Sequence, residues 1–250
     1  MKILKALFND TEFYVTPGKG GDFIVLNGDI HGCIELSNIK IPMDKSEVTI
    51  PIAPSKIIGV GTNYAESDSS FKKSVPSIFS VPKTAIGCTN SDINITRYFD
   101  SALIEGELGV VIKKQAKNIL QEDVCNYISG YTICNDISAR DSSLPLVSNL
   151  IKKGSDGFFP IGPCFLKKQE ILNFNIRTYI NGNLAQSGNT KDMIYSISEC
   201  ISFITKFVTL EQGDIVSMGT PLPKPKAYPG DNIKIEVNGI GILVNNITSV

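Results

Sequence analysis

A chain of 250 residues, 42% hydrophobic and 20% charged, has the length of one large domain and can bury a core without disulfide staples. Its 24 basic and 25 acidic side chains leave a formal charge of −1, which argues against a broad nucleic-acid or anionic-membrane surface. The six cysteines are scattered with no C-x-x-C pair, no stretch reaches the roughly 18 apolar residues of a membrane helix, and the opening Met1–Asp10 lacks a signal-peptide core. A soluble, reduced, cytoplasmic protein is expected.

In chain order, the first signal is β. Asn27-Gly28 between apolar runs predicts a tight hairpin with a primed turn, and His31, the single histidine, reads as structural in its loop. Three prolines, Pro42, Pro51 and Pro54, mark a junction between a small N-terminal β unit, residues 1–53, and a main domain, residues 54–250. The Ser-rich stretch 63–75 reads as a loop able to act as a lid. Ser101–Ile112 reads as one strand. A helical turn is expected from Gln121 to Ser129, stopping at Gly130, before a β run Tyr131–Cys134.

Further along, Asn181-Gly182 and Asn238-Gly239 predict two more primed hairpins. Ser196 and Glu199 fit a capping box that opens a helix whose stripe is Ile194, Ile197, Ile201, Ile204 and Val208. Turns at Gly213-Asp214 and Gly230-Asp231 precede strand-like runs. The fold class is mainly β with a few helices (α+β), as a mixed sandwich or roll.

The chemistry concentrates in the Ser101–Ile112 run. Residues i and i+2 of a strand share a face, so Glu105 and Glu107 aim at one place, and Gly106 leaves room on the opposite face. Paired carboxylates in an apolar strand persist in the ionised form most easily around a cation. Asp136 follows a β run and supplies a third carboxylate at a strand end. Three oxygen ligands without histidine or thiolate suit Mg2+ or Mn2+. The residues alone leave open a solvated face with a turn at Asp136.

Glu105-Gly-Glu-Leu-Gly-Val-Val-Ile112 and Gly130-Tyr-Thr-Ile-Cys-Asn-Asp-Ile-Ser-Ala-Arg-Asp141 strongly resemble the core of the fumarylacetoacetate hydrolase superfamily. So do the runs from Pro54 to Tyr64, Phe159 to Pro163, Gln186 to Met193 and Met218 to Pro221, in the family's order. The resemblance implies Mg2+ or Mn2+ on Glu105, Glu107 and Asp136, with Lys153 as a catalytic lysine beside the metal. It places Asn63, Tyr64, Arg140 and Thr220 on the substrate side, and it implies a β-sandwich roll and a homodimer. Lys153 also reads as a surface lysine next to Lys152, Thr220 as a turn residue, and Arg140 as an ion-pair partner of Asp141.

The sequence departs from the family where many active members carry a His and a Glu that activate water. Ser67 and Ser70 stand there, and Ser143 replaces a family glutamine. Glu66 or Asp68, in the same loop, could supply a relocated base. Hydrolysis of a C–C bond in a small 2-oxo or β-diketo acid through a metal-stabilised enolate is the first reading. An oxaloacetate-type decarboxylase or 2-hydroxymuconate-type isomerase is the second, because these reactions need no water-activating base. A non-catalytic relative that binds metal and oxo acid is the third. Substrate choice is expected in the lid and in the loop Pro223–Pro229.

Overall fold

A computed structural model describes residues 1–64, 75–96, 98–140, 148–168, 170 and 172–249. Glu66, Ser67, Asp68 and Ser70 of the expected lid, with Asp141 and Ser143, lie outside the described residues.

Strands dominate and a few helices flank them. The large sheet runs in the order Ile34–Pro42, Asp22–Gly28, Thr11–Pro17, Lys2–Phe8, Phe159–Lys167, Ile128–Asn135, Gly106–Ile112, Ile215–Ser217, Ile57–Gly61 and Ser77–Val81. A second sheet orders Asn183–Asn189, Asn175–Ile180, Asn232–Val237, Gly241–Ser249 and Asp92–Ile95. Pairing is mostly antiparallel, with parallel contacts where Ile215–Ser217 meets Ile57–Gly61 and where Gly241–Ser249 meets Asp92–Ile95.

The strand Gly106–Ile112 is buried along its whole length, so its two faces meet different surroundings. Leu108, Val110 and Ile112 join the main core with Ile176, Ile235 and Val237 of the second sheet, whereas Val111 packs in a separate cluster with Cys134 and Phe159. By strand alternation Glu107 shares the Val111 side, away from the main core. Gly106 faces the second sheet, where a Cβ would lie 2.8 Å from Thr178 Oγ1 and 2.9 Å from Ile235 Cγ2. The room expected opposite the glutamates is therefore filled by that sheet.

Local signals account for several elements. Ser196 caps the helix Ile197–Phe207 in a complete capping box with Glu199, and Ile197, Ile201 and Ile204 of the expected stripe are buried. Asn181 and Gly182, with φ of 51° and 80°, form the expected two-residue hairpin turn. The N-terminal strands enclose their own cluster of Ala6, Val15, Phe23, Val25 and Ile41, and join the large sheet where Ile3 pairs with Phe165.

Other local expectations give way. Asn27-Gly28 ends a strand rather than turning it: Gly28 pairs with Ile34, and the loop 29–33 is closed by Asp29 N–H donating to Cys33 O. At 238–239 only Gly239 has positive φ, and Ile240 N–H closes the turn on Val237 O, so this hairpin lacks a primed turn. Asn9-Asp10, with φ of 48° and 60°, makes an unforeseen tight turn between the first two strands. The turn from Gln121 is a 3-10 helix ending at Tyr127, because Ile128 already belongs to the next strand. The run Ser101–Ile112 is two strands, Ser101–Leu103 and Gly106–Ile112. Ile104 N–H donates to Pro225 O and Glu105 O accepts from Asp136 N–H, which diverts the backbone between them.

Candidate metal centre

Glu105 sits in that break, Glu107 one pleat into the strand, and Asp136 directly after the strand Ile128–Asn135, whose Asn135 pairs with Gly106. This register brings the three carboxylates together: one oxygen from each lies within 4.8 Å of the others, and all three residues are buried. The cluster could hold a metal ion. They border a cavity of about 770 Å³.

Each carboxylate is held in place. Glu105 Oε1 accepts from Ser138 Oγ at 2.8 Å and from Lys153 Nζ at 3.0 Å, and its Oε2 accepts from Lys224 Nζ at 2.8 Å. Glu107 Oε2 accepts from Ser217 Oγ at 2.5 Å and from the Gly219 N–H at 3.0 Å. Asp136 Oδ2 accepts from Lys153 Nζ at 2.5 Å, while Asp136 Oδ1 is buried without a hydrogen-bond partner among the described residues. A buried carboxylate oxygen left unpaired is costly, and a cation would satisfy it. All-oxygen donors fit a hard cation such as Mg2+ or Mn2+.

The electrostatics agree with that fit. Burial, with the charges of Asp136 and Glu105, pushes Glu107 up to about 8. Burial raises Asp136 to about 6, the Lys153 ammonium working against it and the Glu105 charge with it. Burial acts likewise on Glu105, but Lys153 and Lys224 outweigh it and hold its carboxyl below its ordinary value. Burial works against the charged form of Lys153, yet Asp136 and Glu105 keep its ammonium above the usual pKa.

The other residues singled out in the sequence divide in two groups. Lys153 comes from the short helix Asn149–Gly154 and reaches the cluster. Tyr64 borders the cavity with its hydroxyl buried and without a hydrogen-bond partner among the described residues, and burial, followed by the charge of Glu107, raises its pKa. Thr220 borders the cavity too, its hydroxyl donating to Gly106 O at 2.9 Å and accepting from Gln186 Nε2 at 2.9 Å. Asn63 spends its amide on backbone instead, donating to Tyr195 O and Met218 O and accepting from Tyr195 N–H. Arg140 donates to Ala139 O and is not among the residues that border the cavity. His31 lies 3.0 Å from Ser129 Oγ in the N-terminal loop.

Ser138, Ser217, Gln186 and Lys224 were not assigned roles from the sequence. Lys224 had a signal in lying within the loop Pro223–Pro229; the serines had none, because each meets its glutamate only through folding.

Residues 56–248 match the family profile described as fumarylacetoacetate (FAA) hydrolase C-terminal. The chain is 36% identical over 236 residues to a fumarylacetoacetate hydrolase domain-containing protein 2 homolog of Dictyostelium discoideum, covering 85% of this chain and 77% of that protein. It is 37% identical over 215 residues to the 4-hydroxyphenylacetate degradation bifunctional isomerase/decarboxylase of Escherichia coli, 82% of this chain but only 49% of that longer protein. A solved 5-carboxymethyl-2-hydroxymuconate delta-isomerase from Mycobacterium smegmatis superposes with a TM-score of 0.89 at 29% identity, each chain covered in full. The carboxylate cluster thus lies within the part of the sequence shared with these relatives, and the chain belongs to the fumarylacetoacetate hydrolase family.

Proposed function

We propose that the chain is a metal-dependent enzyme acting on a small 2-oxo or β-diketo acid, with Glu105, Glu107 and Asp136 as ligands of Mg2+ or Mn2+. The observation that carries this reading is the convergence of three buried carboxylates on the cavity, with Asp136 Oδ1 unpaired among the described residues. When bound, the cation would polarise a keto oxygen and stabilise an enolate. Lys153, which Asp136 and Glu105 hold in its charged form in the metal-free protein, supplies a positive charge and a hydrogen-bond donor beside the cluster. Tyr64 likewise stays protonated and offers its hydroxyl as a donor. Phe79, Pro82, Leu150 and Leu222 contribute apolar surface to the cavity, against which a carbon chain would pack.

Among the reactions open to such a site, isomerisation and decarboxylation are favoured over C–C hydrolysis. Hydrolysis needs a base to activate water, yet Ser67 and Ser70 replace the family pair, and the only carboxylates among the described residues bordering the cavity are the three of the cluster. The isomerase and decarboxylase relatives named above support the same choice. If hydrolysis occurs, Glu66 or Asp68 is the candidate base. A cytoplasmic homodimer, with residues 1–53 as a separate N-terminal unit on a catalytic domain of residues 54–250, belongs to the same proposal.

The test is an ultraviolet assay of oxaloacetate and a short acylpyruvate, with Mg2+ and with excess chelator, and with identification of the products. Chelator-sensitive loss is expected, with pyruvate and carbon dioxide from oxaloacetate. Turnover unchanged by chelator would refute the metal requirement.

A further inference from the structure

Lys224 stands between two prolines in Pro221-Leu-Pro-Lys-Pro225, a segment fixed at both ends. Gln186 Nε2 donates to Pro221 O at 2.5 Å and Pro223 O at 3.0 Å, and Ile104 N–H donates to Pro225 O at 2.9 Å. From this rigid backbone the side chain reaches along the cavity and sets Nζ 2.8 Å from Glu105 Oε2. The lysine side chain is 36% exposed against 4% for Glu105, so the ammonium keeps contact with water on the cavity side.

Glu105 Oε1 is already committed to Ser138 and Lys153, which leaves Oε2, the atom that Lys224 holds, for a metal. A divalent cation taking that oxygen would repel the ammonium. The four-carbon stem can swing while the backbone stays put, and an ammonium displaced from its carboxylate beside the cavity is placed to pair with another anion there. We propose that Lys224 is a specificity-determining residue that rests on Glu105 in the metal-free protein and passes to a second anionic group of the substrate when metal binds. Oxo acids with a second carboxylate are then preferred over monocarboxylates. The inference rests on the proposed metal and oxo-acid site.

Isothermal titration of Mn2+-loaded protein with 2-oxoglutarate and 2-oxopentanoate, equal in carbon number and different in the terminal carboxylate, provides the test. Wild-type protein is expected to favour 2-oxoglutarate by about tenfold, the worth of one charge-assisted pair. Lys224→Met should erase the preference and Lys224→Arg should keep it. Mn2+ should bind Lys224→Met as tightly as wild type or more so, because a competing cation is gone. A preference that survives in Lys224→Met overturns the inference. So does a weakened Mn2+ affinity in that variant, which would make Lys224 a prop for Glu105. Wild-type protein that binds both acids equally overturns this inference alone. Wild-type protein that binds neither acid overturns the functional reading and this inference with it.

Discussion

Gln186 donates its side-chain amide to the Thr220 hydroxyl at 2.9 Å, tying the second sheet to the loop that borders the cavity. The same amide donates to Pro221 O and Pro223 O, and its oxygen accepts from Thr178 Oγ1 at 2.7 Å. Replacing Gln186 with Ala strands these buried groups together. The expected loss is about 2–4 kcal/mol of unfolding free energy, measured by urea denaturation. A variant within about 0.5 kcal/mol of wild type would show that the network does not hold the loop.

Gly106 governs how closely the two sheets approach. An Ala there drives its Cβ against Thr178 Oγ1 and Ile235 Cγ2, both in well-packed surroundings with little slack. Gly106→Ala should cost about 1–3 kcal/mol of stability, and by displacing Glu105 and Glu107 it should also weaken Mn2+ binding. Calorimetry of melting and of Mn2+ titration checks both effects. Weakened stability with unchanged Mn2+ affinity would separate sheet packing from the site.

Glu107→Gln keeps an oxygen for Ser217 Oγ and the Gly219 N–H, so the variant is expected to fold. It removes one of three negative charges that offset dehydration of a cation. Mn2+ affinity should fall by about 100-fold or more at pH 8. Unchanged affinity in the folded variant would sink the metal assignment.

A carboxyl must release its proton before it binds a cation. Burial, with the neighbouring Asp136 and Glu105 charges, puts Glu107 at about 8, and burial puts Asp136 at about 6. Both are raised, so protons compete with the metal below these values. Mn2+ affinity should therefore climb between pH 6 and pH 8, with protons released on binding, and level off above. Titration in buffers of different ionisation enthalpy measures the released protons. A flat profile across this range contradicts the assignment of Glu107 as a ligand.

The carboxylate cluster was legible because its geometry is local. Glu105 and Glu107 lie two residues apart, so they reach one site even though Glu105 falls in the break before the strand, and a strand end carries Asp136. The capping box at Ser196 and the turn at Asn181-Gly182 are similarly written in adjacent residues. What escaped depends on distant partners. The break before Gly106 exists because Ile104 N–H meets Pro225 O. Lys224 reaches a glutamate 119 positions away. Asn63 looked available to a ligand beside Tyr64, but the backbone of Tyr195 and Met218 takes its amide. The Asn27-Gly28 pair obeyed its neighbours in the sheet, with Gly28 kept in register opposite Ile34.

Lys153 is the residue on which the proposed chemistry turns most directly. Its ammonium bridges Asp136 Oδ2 and Glu105 Oε1 and lies 5.3 Å from the centroid of the Phe79 ring. Lys153→Met keeps a long unbranched side chain and removes the donor and the charge. Turnover of whichever oxo acid is processed should drop by about 100-fold or more. Mn2+ should still bind, because the carboxylates are untouched. Without the ammonium, however, Asp136 and Glu105 hold their protons more tightly, so the rise of Mn2+ affinity with pH should move to higher pH. A variant with wild-type turnover and an unmoved profile would reduce Lys153 to one more structural lysine.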